Sequence, residues 1–348
     1  AFEMATEEVW DTWRQAPVVR FASTLPSGEP VLRTVHGVVI DGAITFHGGD
    51  SGEKLACLGR PAVMQCEQTI AEIPSYFIDP QRACPATTYY VSCQAQGTLE
   101  RVDDPPEKAR ALAELMARFQ AEGGYTPIAA DHALYRKAVD AIVIVRMRPT
   151  TMVGKRKLGQ NRPTQQIDKV LGGLWRRGRP GDLQALEWVR AEHPGKPTPA
   201  FLQGPPGIQL CVHPGPDDLD AAVALVRDAY WNDDTEDTRI RAAHKGATAW
   251  VGARDAQGQL VATSRAISDG SKHAHIYDVA VHPAHRGRGV GKAMLALMLD
   301  HPRLRECTKI NLVTRDAHSF YAPFGFRPFA HRYTEMRRAR PQGPVDRV

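Results

Sequence analysis

Three glycines at alternate positions, Gly287, Gly289 and Gly291, are interleaved with Arg286, Arg288 and Val290 and followed by Lys292. Residues without a Cβ let successive backbone N–H groups turn toward one anion, and the positive end of a following helix adds to the attraction. The cationic side chains supply mobile countercharge, so the assembly suits a pyrophosphate. Dinucleotide sites use a similar loop, but they place it after the first strand of a parallel βαβ unit and want a carboxylate on the next strand. Here the loop follows a strand ending in Val281-His282-Pro283, and residues 309–314 carry no carboxylate, although Asp316 comes soon after. The pyrophosphate of a different cofactor is the better reading.

The elements that must position this loop can be read from pattern. The chain has 348 residues, long enough for two domains. Its apolar and charged fractions, 43% and 24%, suit globular cores, and its net charge of +5 is too small to imply nucleic acid by itself. No two of the six cysteines form a CxxC pair, which speaks against structural zinc or a redox dithiol and for reduced thiols in a cytoplasmic protein. No apolar run approaches the ~20 residues of a membrane span. Pro and Gly crowd residues 194–207, so domains are expected at 1–193 and 208–348 with this segment as linker.

Before the linker, strands are expected at 17–25, 31–40, 43–47, 89–99 and 141–153, with turns at Ser27-Gly28 and Asp41-Gly42. A helix capped by Asp104 begins with Pro105 in its first position, and a second covers 182–192. That order predicts a β-barrel with added helices. After the linker, strands at 208–212, 247–253, 259–267, 275–281, 309–314 and 331–337 alternate irregularly with helices at 216–230, 290–299 and around 317–323. The second domain therefore reads as an α+β fold on one mainly antiparallel sheet, with helices on both faces.

The segment Val281-His-Pro-Ala-His-Arg-Gly-Arg-Gly-Val-Gly291 resembles motif A of the GNAT acetyltransferases, whose core is Arg/Gln-x-x-Gly-x-Gly/Ala. Thr314-Arg-Asp-Ala-His-Ser-Phe-Tyr-Ala-Pro-Phe-Gly-Phe326 is similar to the second signature of that family, an aromatic-Tyr pair followed by Gly-Phe. The resemblance spans about residues 208–338 and implies an acetyl-CoA-dependent N-acetyltransferase. It assigns the cofactor to Val279, Ala280, Val281, Arg286, Gly287, Arg288, Gly289, Val290, Gly291 and Lys292. Tyr321 would protonate the departing thiolate, and backbone N–H groups of the strand ending at Val281 would polarise the thioester carbonyl. Asp278, on that strand, is the expected base, with His273 or His275 as alternatives and Cys307 as an unfavoured covalent nucleophile. Acceptor contacts are expected within 231–241, where Asp233, Asp234, Glu236 and Asp237 can attract a cationic amine or simply solvate a loop.

The N-terminal half carries a second resemblance. Leu32-Arg-Thr-Val-His-Gly37 and Ile44-Thr-Phe-His-Gly-Gly-Asp-Ser-Gly-Glu-Lys54 resemble the pyridoxamine 5'-phosphate oxidase-like split barrels that bind flavin. Ile73-Pro-Ser-Tyr-Phe77 and Cys84-Pro-Ala-Thr-Thr-Tyr-Tyr90 look like the nitroimidazole-resistance branch, and Gly154-Lys-Arg-Lys-Leu-Gly-Gln-Asn-Arg-Pro163 is similar to a signature of PaiB-type FMN-binding proteins. The resemblance implies that Arg33, Thr34, Val35, Ser51 and Lys54 hold a flavin phosphate, with His47 near the ring or substrate. Lys155, Lys157 and Gln160 would reach the flavin or a second subunit, because such barrels form sites across a homodimer. An Arg-Lys pair is expected at the phosphate, whereas Glu53-Lys54 stands here, so F420, haem or no cofactor stay open beside FMN.

Together these resemblances imply a bifunctional fusion in which both domains meet one small amine or its metabolite. The rivals are an acetyltransferase with a dimerisation barrel and an FMN-binding transcriptional regulator. No helix-turn-helix pattern supports the regulator, and Arg337, Arg338 and Arg340 read as a solvated basic tail.

Overall fold

The computed structural model describes residues 2–233 and 235–328. The chain forms two compact units that divide between Pro199 and Ala200. In the first unit, helix α1 (Thr6–Gln15) buries Val9 and Trp13. Four short strands follow, β1 (Val19–Thr24), β2 (Pro30–Val35), β3 (Gly37–Ile40) and β4 (Ala43–Gly48). Helix α2 (Glu53–Ala56) leads into two long strands, β5 (Pro61–Ile73) and β6 (Thr87–Val102). Then come α3 (Pro105–Phe119), α4 (Arg136–Ala141), β7 (Val143–Met147), β8 (Thr151–Lys157), α5 (Thr164–Arg177) and α6 (Asp182–Ala191).

All paired strands of this unit are antiparallel, in the order β2-β1-β5-β6-β7-β4-β3, with β8 also on β6. Strand β6 is the hub. One edge pairs β5, while the other pairs β8 along its first part and β7 at residues 99–102. The sheet curls far enough for Phe21 of β1 to stack on Phe46 of β4, ring centroids 5.4 Å apart, with both rings fully buried.

Local chemistry explains several boundaries. The Asp104 carboxylate accepts from the Glu107 N–H at 3.1 Å, and proline occupies the first turn of α3, as the sequence suggested. At Asp41-Gly42 both residues have positive φ, 48° and 69°, the geometry of a tight hairpin between β3 and β4. The strand expected over 31–40 is broken at His36. Its first part pairs β1 and its second pairs β4, and Gly37 passes so close to Val19 that a Cβ would lie 2.7 Å from that side chain. The strand expected over 141–153 is likewise two strands, because Pro149 between them has no N–H to give.

The second unit contains β9 (Gln209–Cys211), α7 (Leu219–Val226), α8 (Asp237–Lys245), β10 (Ala249–Arg254), β11 (Leu260–Ser268), β12 (His273–Val281), α9 (Val290–Leu299), β13 (Lys309–Asn311) and α10 (His318–Tyr321). Among the described residues its sheet runs β13-β12-β11-β10-β9, with β12 and β13 parallel and the other pairs antiparallel. Helix α7 packs Ala222 on Cys211, Leu260 and Trp250, and α9 buries Val290, Met294, Leu295, Leu297 and Met298. Each of these α9 side chains contributes about 1.5–3 kcal/mol relative to exposure. Part of the Pro/Gly-rich segment belongs to this fold: Leu202 is fully buried and Gln203 bridges Gln209. Asp234, the strand expected at 331–337 and the arginines at 337, 338 and 340 lie outside the described residues. No helix among the described residues is long and apolar enough to cross a membrane.

Candidate functional site

In the second unit a cleft of about 1060 Å³ runs along the C-terminal end of β12. Val279, Ala280 and Val281 line it, together with Arg286, Gly287, Gly289, Val290, Gly291, Lys292 and Tyr321. Of the expected cofactor residues only Arg288 is outside this lining; its guanidinium donates to the Pro206 carbonyl at 3.4 Å.

The glycines are needed for two different reasons. Gly287 and Gly289 have φ of 72° and 84°, where L-residues are strained, and Gly289 is the residue that opens α9. Gly291 has ordinary φ, but a Cβ there would press on Val281 and Phe320 at 3.3 and 3.4 Å. Arg286 donates from Nε to the Val281 carbonyl at 2.9 Å, which ties the loop to the strand end.

Strand β12 bends before it reaches the cleft. Thr263 pairs Ala280 and Arg265 pairs Tyr277, so Asp278 and Val279 together oppose the single residue Ser264. This is a β-bulge, and its first residue, Asp278, has φ 53°. Such a conformation costs about 1–3 kcal/mol for a residue with a side chain. Asp278 is also buried, and both oxygens are engaged: Oδ1 accepts from Trp231 Nε1 at 3.0 Å, and Oδ2 accepts from Arg265 Nε at 2.5 Å. Arg265 in turn lies over the Tyr277 ring at 4.8 Å.

Tyr321 sits at the end of α10, buried, edge-on to Phe320 at 4.9 Å. Burial, with a smaller contribution from Tyr230, pushes its hydroxyl above the ordinary tyrosine range. The group therefore stays protonated throughout the neutral range. Tyr321 is also a wall of a second cavity, about 730 Å³, bordered by His275, Asn311, Thr314 and His318. His275 faces that cavity, stacked on Tyr277, and is not part of the first cleft. Cys307 lies against Ser268, 3.2 Å from its Oγ, and is not part of the cleft lining either.

Trp231, at the start of the segment expected to contact an acceptor, lines the cleft, and so do Ala224, Leu225 and Asp228, which the sequence did not single out. Asp237 instead pairs with Arg227 at 2.8 Å in the first turn of α8. Amphipathic spacing on α7 was the available signal for Ala224, which is exposed between the buried Val223 and Val226; Leu225 packs against the core at the edge of the cleft, and Asp228 follows the helix.

Comparison with known proteins finds two family models. Pyridoxamine 5'-phosphate oxidase matches residues 5–156, and the acetyltransferase (GNAT) family matches residues 219–326. The chain joins a domain of each family. The chain is 38% identical over 74 residues to an uncharacterized N-acetyltransferase, ycf52, of Pyropia yezoensis, an alignment covering 21% of this chain and 42% of that protein. The chain thus spans less than half the length of the curated relatives it matches. A protein assigned to the GNAT family from Xanthomonas campestris pv. campestris is 31% identical, covering 38% of this chain and 96% of that one at a TM-score of 0.33. The oxidase-like unit is similar to the FAD and heme binding protein of Mycobacterium smegmatis, 17% identical over 45% of this chain and 74% of that one, TM-score 0.39.

In the oxidase-like unit the expected flavin residues fall into two groups. Arg33 on β2 forms an ion pair with Glu53 of α2, and Lys54 Nζ donates to the Ser51 carbonyl at 2.7 Å, so β2 and the segment after β4 come together. Thr34 and Val35 are fixed by pairing with Arg20 and Val19. His47 is half-buried, and burial, helped by His36, keeps its imidazole below the ordinary value and hence neutral at pH 7. Lys155 and Lys157 are on β8, which stands beyond β1, β5 and β6 from β2 in the strand order. Lys157 donates to Thr87 Oγ1 at 2.6 Å, and Lys155 lies over the Phe2 ring at 5.5 Å. Gln160 is turned inward: its oxygen accepts from the Leu158 N–H and its nitrogen donates to the Arg156 carbonyl, both at 2.8 Å. It closes its own loop. Tested against a flavin phosphate, Arg33 and Lys54 supply the cationic donors, with the Glu53 carboxylate as a competing acceptor on Arg33.

Proposed function

We propose that the second unit transfers the acetyl group of acetyl-CoA to the nitrogen of a small amine. The observation that carries this reading is one cleft in which a glycine-built anion loop, a bulged strand end and a protonated tyrosine share walls. The loop at 286–291 with Lys292 holds the cofactor's pyrophosphate, and the strand at 279–281 runs beside the acetyl arm. An amine in its neutral form attacks the thioester carbon, forming the N–C bond as the C–S bond breaks. Tyr321 gives its proton to the departing thiolate, and the proton that the acylated nitrogen then loses to water restores the tyrosine hydroxyl through solvent. Asp278 is a weaker candidate for that proton, since its two oxygens already accept hydrogen bonds from Trp231 and Arg265. A panel of small amines with acetyl-CoA, followed by thiol release, tests the reading. Thiol release with no amine in the panel above the hydrolysis background would refute it.

For the first unit we propose a dimerising domain of the oxidase-like family, and no redox step is derived for it. Leu32, Ala22, Val63, Gln96 and Thr151 lie in register across β2, β1, β5, β6 and β8 and leave an uncharged row exposed, with Leu32 at 61%. A second copy of this chain covering that row explains why it is uncharged. Val63→Lys with Leu32→Lys is expected to convert a dimer to a monomer in light scattering; an unchanged mass means the row is not the interface. A flavin belongs to this proposal only if its phosphate displaces Glu53 from Arg33. Glu53→Arg removes the competing carboxylate, so FMN uptake, followed by quenching of flavin fluorescence, should tighten about tenfold or more for one charge-assisted contact regained. Equal uptake by both proteins would place any flavin elsewhere. A cytoplasmic setting fits its reduced thiols, since all six cysteines are free.

A further inference from the structure

We propose that Arg265 and Trp231 are positioning residues for acetyl transfer, acting through Asp278 to hold the β12 bulge open toward the thioester. The proposal rests on the transferase reading above and assigns roles that the sequence motifs do not contain.

The bulge residue is the starting point. At φ 53° the ordinary choice is glycine, which takes that conformation without strain. An aspartate there is favoured only if its side chain does something that glycine cannot. Its two oxygens point to two different elements. Arg265 comes from β11, the neighbouring strand, and Trp231 comes from the loop between α7 and α8. The ion pair is enclosed, with side-chain exposures of 13% and 6%, and Arg265 is further held by the Tyr277 ring. One carboxylate therefore joins a strand, a bulge and a cleft wall.

The next residue, Val279, already lines the cleft. Its N–H direction is set by the backbone torsions of Asp278. If the carboxylate were released, residue 278 could relax toward extended geometry, which would close the bulge and rotate the amide that follows. A donor aimed at a developing oxyanion contributes only while its direction is fixed in advance. Trp231 adds a coupling in the other direction. Its indole is 44% exposed in the cleft, so an acceptor resting on that ring presses on a group hydrogen-bonded to the bulge.

The test separates this role from simple support of the fold. Asp278→Gly suits the left-handed backbone and should fold, yet it removes both anchors. Arg265→Met and Trp231→Phe each remove one anchor while keeping bulk, and Asp278→Asn keeps an acceptor for Trp231. The infrared stretch of acetyl-CoA labelled at the carbonyl carbon reads polarisation without any acceptor. In the unaltered protein the bound carbonyl is expected at lower frequency than in solution. Asp278→Gly and Arg265→Met should lose most of that shift and about ten- to a thousandfold in kcat, the range for an oxyanion donor. KM for acetyl-CoA should stay within about twofold of the parent, because the pyrophosphate loop is untouched. Asp278→Asn should recover part of both losses. A carbonyl shift that survives in Asp278→Gly overturns the proposal, and so does a bound carbonyl that is unshifted in the parent. A shifted carbonyl without acetylation of any amine leaves the positioning role standing and sinks the transferase reading instead.

Discussion

Replacing Tyr321 by phenylalanine is expected to lower turnover about ten- to a thousandfold while acetyl-CoA binding is unchanged, the range for removing a positioned acid. The ring packs edge-on against Phe320 and beside Phe326, and phenylalanine keeps both contacts. What is lost is the hydroxyl, whose value is realised only as the carbon–sulfur bond breaks. Since burial raises its pKa, the folded form favours the protonated state, and the donor is lost only when pH exceeds that raised value. The alkaline limb of the pH–rate profile should therefore lie above about 10, the ordinary tyrosine value, and should vanish in Tyr321→Phe. A variant with full turnover toward the true acceptor would mean that water protonates the thiolate and that Tyr321 is a packing residue.

Gly289→Val should abolish acetyl-CoA binding. Valine at φ 84° is strained, and its Cβ would come to 3.5 Å from Pro205, so a branched side chain can be placed only by shifting the loop backbone that meets the anion. Losing even one charge-assisted contact of about 1.5–3 kcal/mol weakens affinity by roughly ten- to a hundredfold, and this change removes several. The thermal stabilisation by millimolar acetyl-CoA should disappear. Because the variant could also disturb the start of α9, Arg286→Ala with Lys292→Ala provides a second route that leaves the backbone alone. Persistence of the full thermal shift in that double variant would show that the cofactor is held elsewhere.

The acetyltransferase loop was legible because its information is local. Three glycines, the cations between them and the apolar repeat after Gly289 lie within one short segment, and α9 spans Val290–Leu299 as the pattern indicated. The environment of Asp278 was not legible. Its partners lie 13 and 47 residues away, and no local pattern signals a bulge at an aspartate.

The same contrast runs through the first unit. Strand β5 hides its alternation: Ala62, Met64 and Cys66 are buried in step, but a register shift between Thr69 and Ala71 buries Ile70 and Ala71 together. Helix α5 hides behind Gly172-Gly173, a pair that reads as a loop. Gly173 is there because the Phe77 ring lies against the helix and leaves no room for a Cβ. The flavin residues were legible as types but not as partners, since nothing near Arg33 in the sequence announces that Glu53 will face it.

The two-edged pairing of β6 has a consequence for how the chain is made. One edge finds β5 at once, because β5 precedes it. The other edge must wait for β7 and β8, which leave the ribosome only after α3 and α4 have been synthesised. During that interval a long strand presents unsatisfied N–H and C=O groups to any extended segment nearby. Chains stalled or truncated between residues 102 and 143 should therefore be the aggregation-prone products of translation. Slowing elongation in that window should cost more soluble protein than slowing it after residue 157.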